Sequence, residues 1–164
     1  IDEDLMNSMH FFYEQHCLRW GVWGSKYLTD NFFKNSLKTK KNLVIFGAFE
    51  ESSKEPIAMS MCIKNKDNLW GRYWGSLKEI NYLHFELCYY QPIEWAIKNK
   101  IKFFDPGAGG QHKRRRGFYA KGTNSLHKWF NYNMDNMIFQ WLNKVNKETL
   151  NNIEDENNSI PFKK

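Results

Sequence analysis

The segment YLHFELCYYQPIEWAIKNKIKFFDPGA (82–108) decides how the rest of the chain is read. Over 82–90 the residues alternate. Leu83, Phe85, Leu87 and Tyr89 fall on one side and His84, Glu86, Cys88 and Tyr90 on the other, the pattern of a half-buried strand. Pro92 then fits the first turn of a helix carrying Ile93, Ala96 and Ile97, and IKFFD (101–105) resumes as a strand. Strand, helix and strand joined by such short connections predict a right-handed parallel crossover, with 82–90 and 101–105 as neighbours in one sheet.

Working outward, the period changes on both sides. From Asp2 to Trp20 the residues Leu5, Met6, Met9, Phe12, Tyr13, Cys17 and Trp20 recur at three and four, acids fill the first turn and Gly21 follows, which predicts an amphipathic helix. His10 and His16 lie beside that apolar stripe and read as packing or capping residues. A shorter helix is expected from Thr29 to Leu37, with Thr29 as its cap. NLVIFGAFE (42–50) and EPIAMSMCIKN (55–65) read as a hairpin, with a third strand within NLWGRYWGSL (68–77). Met134, Met137, Ile138, Trp141, Leu142 and Val145 predict a last helix whose stripe belongs to the core. The polar stretch from about Asn151 is expected to fray. The order is α+β: residues 1–150 form one domain and 151–164 a tail.

Composition narrows the partners without choosing one. The 164 residues are 41% apolar with seven Trp, eight Tyr and thirteen Phe, so a core rich in flat rings is expected. A formal charge of +6 favours polyanionic partners such as nucleic acid, phosphorylated cofactors or an acidic surface. Three cysteines at wide spacing, without a Cys-x-x-Cys pair, argue against a disulfide framework or a zinc ribbon and for a reducing compartment. No signal peptide or run of about 20 apolar residues is visible, so a cytoplasmic protein is expected. The chain begins at Ile1, which reads as the start of a fragment.

Two groups of residues could carry chemistry. On a strand, His84 and Glu86 would share a face about 7 Å apart, with Tyr90 further along. A carboxylate beside an imidazole on a half-buried strand makes a general base, because burial raises its pKa. The alternative is a Glu86 that only pairs with a cation. In DPGAGGQHKRRRG (105–117), glycines 107, 109 and 110 would let backbone amides approach an anion, while Lys113, Arg114, Arg115 and Arg116 supply charge. The loop matches neither a phosphate-binding Walker loop nor a dinucleotide fingerprint, so a solvated basic turn is its alternative. His84, Glu86, His112 and His127 lack the spacing of a metal site, and no metal is expected.

GRYWG (71–75), LHFELCYYQPIEWAI (83–97), GAGGQHKRRRGF (107–118) and SLH (125–127), with RWGVWGSKYLTDNFF (19–33), resemble the predicted N-acyltransferases of the acetyltransferase-like (GNAT) superfamily, related to the Fem-type aminoacyl transferases of bacterial peptidoglycan synthesis. The resemblance covers nearly everything from Trp20 to the last helix. It implies a V-shaped cleft between 82–90 and 101–105, and a chain forming the second of two tandem domains, with an amino-terminal partner domain preceding it. Gly109 and Gln111 depart from the family pattern. The implied activity is transfer of an acyl or aminoacyl group to an amine, in cell-wall precursor metabolism, from acyl-CoA or aminoacyl-tRNA as donor. Glu86 would be the base, His84 its partner or substitute, and Tyr89 or Tyr90 a proton donor, with His112 beside them. Gly107, Gly110, Lys113, Arg114, Arg116, His127 and Arg72 would contact the phosphorylated donor. The rival reading is a binding module without catalysis that holds a cell-wall precursor or a nucleic acid.

Overall fold

A computed structural model describes residues 1–24, 26–108 and 111–162, apart from the side chain of Gln111. The chain divides into two units, Ile1–Ala108 and Gly109–Lys164.

In the first unit, α1 (Glu3–Leu18) starts where the Asp2 carboxylate accepts a hydrogen bond from Leu5 N at 3.0 Å, with Glu3 and Asp4 completing a first turn suited to the helix dipole. Its three-and-four spacing buries Met6, Met9, Phe12, Tyr13 and Cys17. Helix α2 (Asp30–Ser36) adds Phe33, which is fully buried. Strands β1 (Leu43–Phe49), β2 (Pro56–Lys64) and β3 (Asn68–Ser76) form the expected antiparallel meander, and β4 (Phe103–Asp105) lies parallel to β3, giving the order β1-β2-β3-β4. The fold is mixed α+β, with a GNAT-like combination of meander and parallel crossover.

Alternation along the strands sends each set of side chains to its own layer. Leu43, Met59 and Met61 pack under α1 and α2 with Tyr73, while Val44, Cys62 and Leu69 pack on the opposite face with Trp95 and Ala96.

The deciding segment is not a strand. After Tyr82, whose φ of 68° is left-handed, the chain is helical through α3 (Leu83–Phe85), a π-helical turn (Glu86–Tyr90) and α4 (Gln91–Lys98). Pro92 explains the widened turn. Inside a continuous helix it has no N–H to donate, and its ring crowds the carbonyl four residues back, so the backbone loosens just before it. The buried positions Leu87, Pro92 and Ala96 follow steps of five and four, the five matching the π turn. The Leu87 carbonyl accepts a hydrogen bond from Ser60 Oγ of β2 at 2.7 Å, which ties the turn to the sheet.

The parallel crossover therefore runs from β3 through α3 and α4 to β4. The opening expected between 82–90 and 101–105 is not present, because 82–90 contributes no strand. Instead the β3–β4 ladder covers only Asn68↔Phe103 to Trp70↔Asp105, while β3 runs on to Ser76.

The second unit contains a 3₁₀ segment, Gln111–Arg116, and α5 (Tyr132–Asn158), capped by the Asn131 side chain accepting from Met134 N at 3.1 Å. The stripe expected in the core is exposed here: Met137 is 54% and Trp141 59% accessible, and α5 buries no side chain. Among the described residues of this unit there is no sheet or second long helix against which the stripe could close. The tail expected to fray from Asn151 instead continues α5 as far as Asn158.

Candidate functional site

The end of β3 and the start of α3 border a small recess of mixed polar and apolar lining. A β-bulge precedes it: Met61 faces Tyr73 but Cys62 faces Gly71, so Arg72 is the extra residue and stands exposed. The bulge resets the alternation. Tyr73 and Gly75 then face α1, and Gly75 is required there because a Cβ would meet Phe12 O at 1.9 Å. Trp74 and Ser76 face the α3 side. Arg19, just past α1, donates from Nη2 to Ser76 O at 2.6 Å, and Ser76 Oγ donates to Lys78 O at 2.6 Å while accepting from Lys78 N at 3.2 Å. The resulting cavity of about 150 Å³ is lined by Arg19, Trp74, Ser76, Lys78, Glu79 and His84 among others. Lys78 is also paired with Glu50.

His84 is the half-buried titratable ring of this recess. Its centroid lies 4.6 Å from Trp74, 5.5 Å from Phe85 and 5.5 Å from Tyr89, the last edge-on. Tyr89 is buried at 3% exposure, whereas Tyr90 is 43% exposed. The structure thus brings His84 and Tyr89 together and leaves Tyr90 outside.

The shared face predicted for His84 and Glu86 is overturned by the helical backbone. Residues two apart on a helix point about 200° apart rather than the same way. Glu86 is exposed and accepts a hydrogen bond from Gln91 Nε2 at 2.8 Å, so it does not hold the half-buried position expected of it.

The other predicted residues fall elsewhere. Gly107 closes the first unit's chain with φ 89°, its N–H donating to Asp105 Oδ1 at 2.8 Å. Gly110, like Gly109, lies outside the described residues. In the second unit Arg116 Nη1 donates to His112 O at 2.8 Å, and Arg114 Nη1 donates to Ser159 Oγ at 2.6 Å. Phe118 N donates to Lys113 O at 3.3 Å. Asn157 holds the following segment through both amide atoms, accepting from Ala120 N at 2.7 Å and donating to Ala120 O at 3.0 Å. Burial, then Lys113 and Arg116, push the His112 imidazole below its usual pKa. His127 is exposed, bonded to Ser125 Oγ at 2.8 Å and stacked on Trp129. Among the described residues no three His, Cys, Asp or Glu side chains form a metal-sized group.

Sequence reasoning missed Trp74, Arg19, Ser76 and Lys78. The available signals were a cation at the end of α1 and the GRYWGS run, in which a bulge cannot be seen from spacing.

Among the described residues no helix is long and apolar enough to cross a membrane. No curated protein matches the chain. A family model described as peptidoglycan biosynthesis/recognition matches residues 1–164, the whole chain. The chain therefore belongs to the FemAB-like family.

Proposed function

We propose that the chain transfers an acyl or aminoacyl group to an amine during peptidoglycan biosynthesis, with His84 as general base. One observation carries this reading: a half-buried imidazole sits against Trp74 and Tyr89 at a recess flanked by Arg19 and Lys78, where β3 outruns its parallel neighbour. The acceptor must lose a proton before it attacks a carbonyl. Imidazole titrates near neutrality and is suited to take it. The two cations would draw the phosphate groups of an acyl-CoA or aminoacyl-tRNA donor. Tyr89 would orient His84 through its ring edge, and Glu86 and Tyr90 are assigned to substrate contact at the surface. In the second unit, Lys113, Arg114 and Arg116 would form a separate anion-contacting group with His112, and exposed His127 would contact ligand there; in the first unit, exposed Arg72 would contact ligand.

The experiment is a transfer assay with labelled acyl-CoA or aminoacyl-tRNA and an amine-bearing peptidoglycan precursor. Activity with one donor is expected, and Arg19→Ala should raise the donor KM and flatten its salt dependence, since charge contacts at partly exposed sites are screened by salt. Precursor binding without transfer from either donor would favour a recognition module.

A further inference from the structure

A second cavity lies in the first unit, at the carboxy-terminal end of α1 and under the turn that follows it. It has a volume of about 400 Å³, a size that suits a small ligand. Its walls are rings: Tyr13, Trp20, Trp23, Tyr27 and Tyr73, with the His16 imidazole among them. Three of these stand at the surface, Trp20 at 61%, Trp23 at 86% and Tyr27 at 82% exposure. Large rings gathered so openly around one cavity are unfavourable to leave in water and mark a contact site.

The wall is built rather than loose. Tyr13 Oη accepts from Tyr27 N at 3.0 Å and Leu28 N at 3.2 Å, which pins the strand of chain over the cavity. Gly24 N donates to Gly21 O at 3.0 Å, and a Cβ on Gly24 would meet Cys17 O at 2.1 Å, so the turn closes directly on the helix end. Within this wall His16 is under-used: its Nδ1 is buried with no partner among the described residues. That atom is sealed from solvent and equally from a ligand, so the polar group the imidazole offers to the cavity it lines is its other ring nitrogen.

Charge selects the ligand class. No carboxylate lines the cavity, the nearby Glu14 is paired with Lys26, and Arg19 lies three residues beyond His16. Burial, then Arg19, hold the His16 imidazole below its ordinary pKa, so near pH 7 it stays neutral, and its accessible nitrogen donates or accepts according to the tautomer. A cation would enter without a counter-charge.

We infer that this cavity binds a neutral aromatic ring bearing one hydrogen-bonding group, which stacks on the exposed Trp and Tyr rings and pairs with His16. The inference stands independently of the acyl-transfer reading.

The test uses three probes of one size: phenol, whose hydroxyl donates and accepts, toluene, which lacks it, and N-methylpyridinium, which is cationic. Each is titrated while the indole N–H signals of Trp20 and Trp23 and the methyl signals of Leu28 are followed by NMR. Phenol should give saturable shifts, with toluene about threefold to tenfold weaker, the worth of one hydrogen bond. The cation should be weaker still. His16→Phe should abolish the preference for phenol over toluene. Trp23→Ala, at an exposed position, should weaken both neutral probes without changing the melting temperature, which separates loss of binding from loss of fold. Absence of saturable shifts, a cation that binds as tightly as phenol, or an unchanged phenol preference in His16→Phe would overturn the inference.

Discussion

The described residues of the first unit, within 1–108, and of the second, 111–162, are stabilised by different means. In the first unit a sheet is covered on both faces, and every apolar residue counted as core lies between Met6 and Ala96. In the second, a long helix exposes its apolar stripe, and side-chain bonds such as Asn157 to Ala120 and Arg114 to Ser159 tether the basic segment to its end. The difference teaches where precise chemistry can be held. Close packing fixes a ring such as His84 against its neighbours, whereas exposed cations on a polar tether suit contact with a flexible anion.

The sharpest way to break that comparison is to cut into each unit. Phe33→Ala empties a fully buried site and should lower stability by about 3–5 kcal/mol in denaturant unfolding. Trp141→Ala should stay within about 0.5 kcal/mol, as expected for an exposed position. A Trp141 effect as large as that of Phe33 would show that α5 is packed. Gly75→Ala belongs with the first class, because its Cβ would strike the Phe12 carbonyl of α1, and a loss of about 3 kcal/mol is expected.

Much of the packed unit was legible in the sequence. The apolar spacing of α1 and the alternation of Met59, Met61 and Ile63 are dictated by burial, and both elements formed as read. Alternation over 82–90 was the exception. Leu87 and Tyr89 are both buried, as in a strand, but they lie on a helix, in the π turn just before Pro92. The bulge at Arg72 is equally invisible, since it depends on how β3 pairs with β2. Consequently the candidate imidazole could be read from the sequence, but not the partner it faces. In the second unit helix α5 was legible and its burial was not, because periodicity shows that a face is apolar without showing what covers it.

Smaller effects sharpen the comparison. Asn157→Ala removes two hydrogen bonds of the second unit's tether and should cost about 1–2 kcal/mol, read as faster amide exchange near Ala120 with the sheet amides unchanged. In the first unit, burial and Arg19 lower the pKa of His16, so at mildly acid pH the unfolded chain binds the extra proton more readily than the folded one. Its contribution to stability is then complete above the unfolded value of about 6.5 and falls away as pH drops below it. His16→Gln should flatten that acid limb of melting temperature against pH. Smallest is a difference in thiol reactivity: burial pushes the Cys62 thiol up to about 12, so native protein should alkylate there far more slowly than unfolded chain.

The central claim is that His84, held in the packed unit, is the base. It is tested most directly by measuring turnover and melting temperature for His84→Gln and Glu86→Gln side by side, with the donor that supports transfer. His84→Gln should lose about 10²- to 10⁴-fold in kcat with its melting temperature nearly unchanged, and Glu86→Gln, at an exposed helical position, should keep most of the rate. The reverse order, with Glu86→Gln inactive and His84→Gln active, would contradict the account.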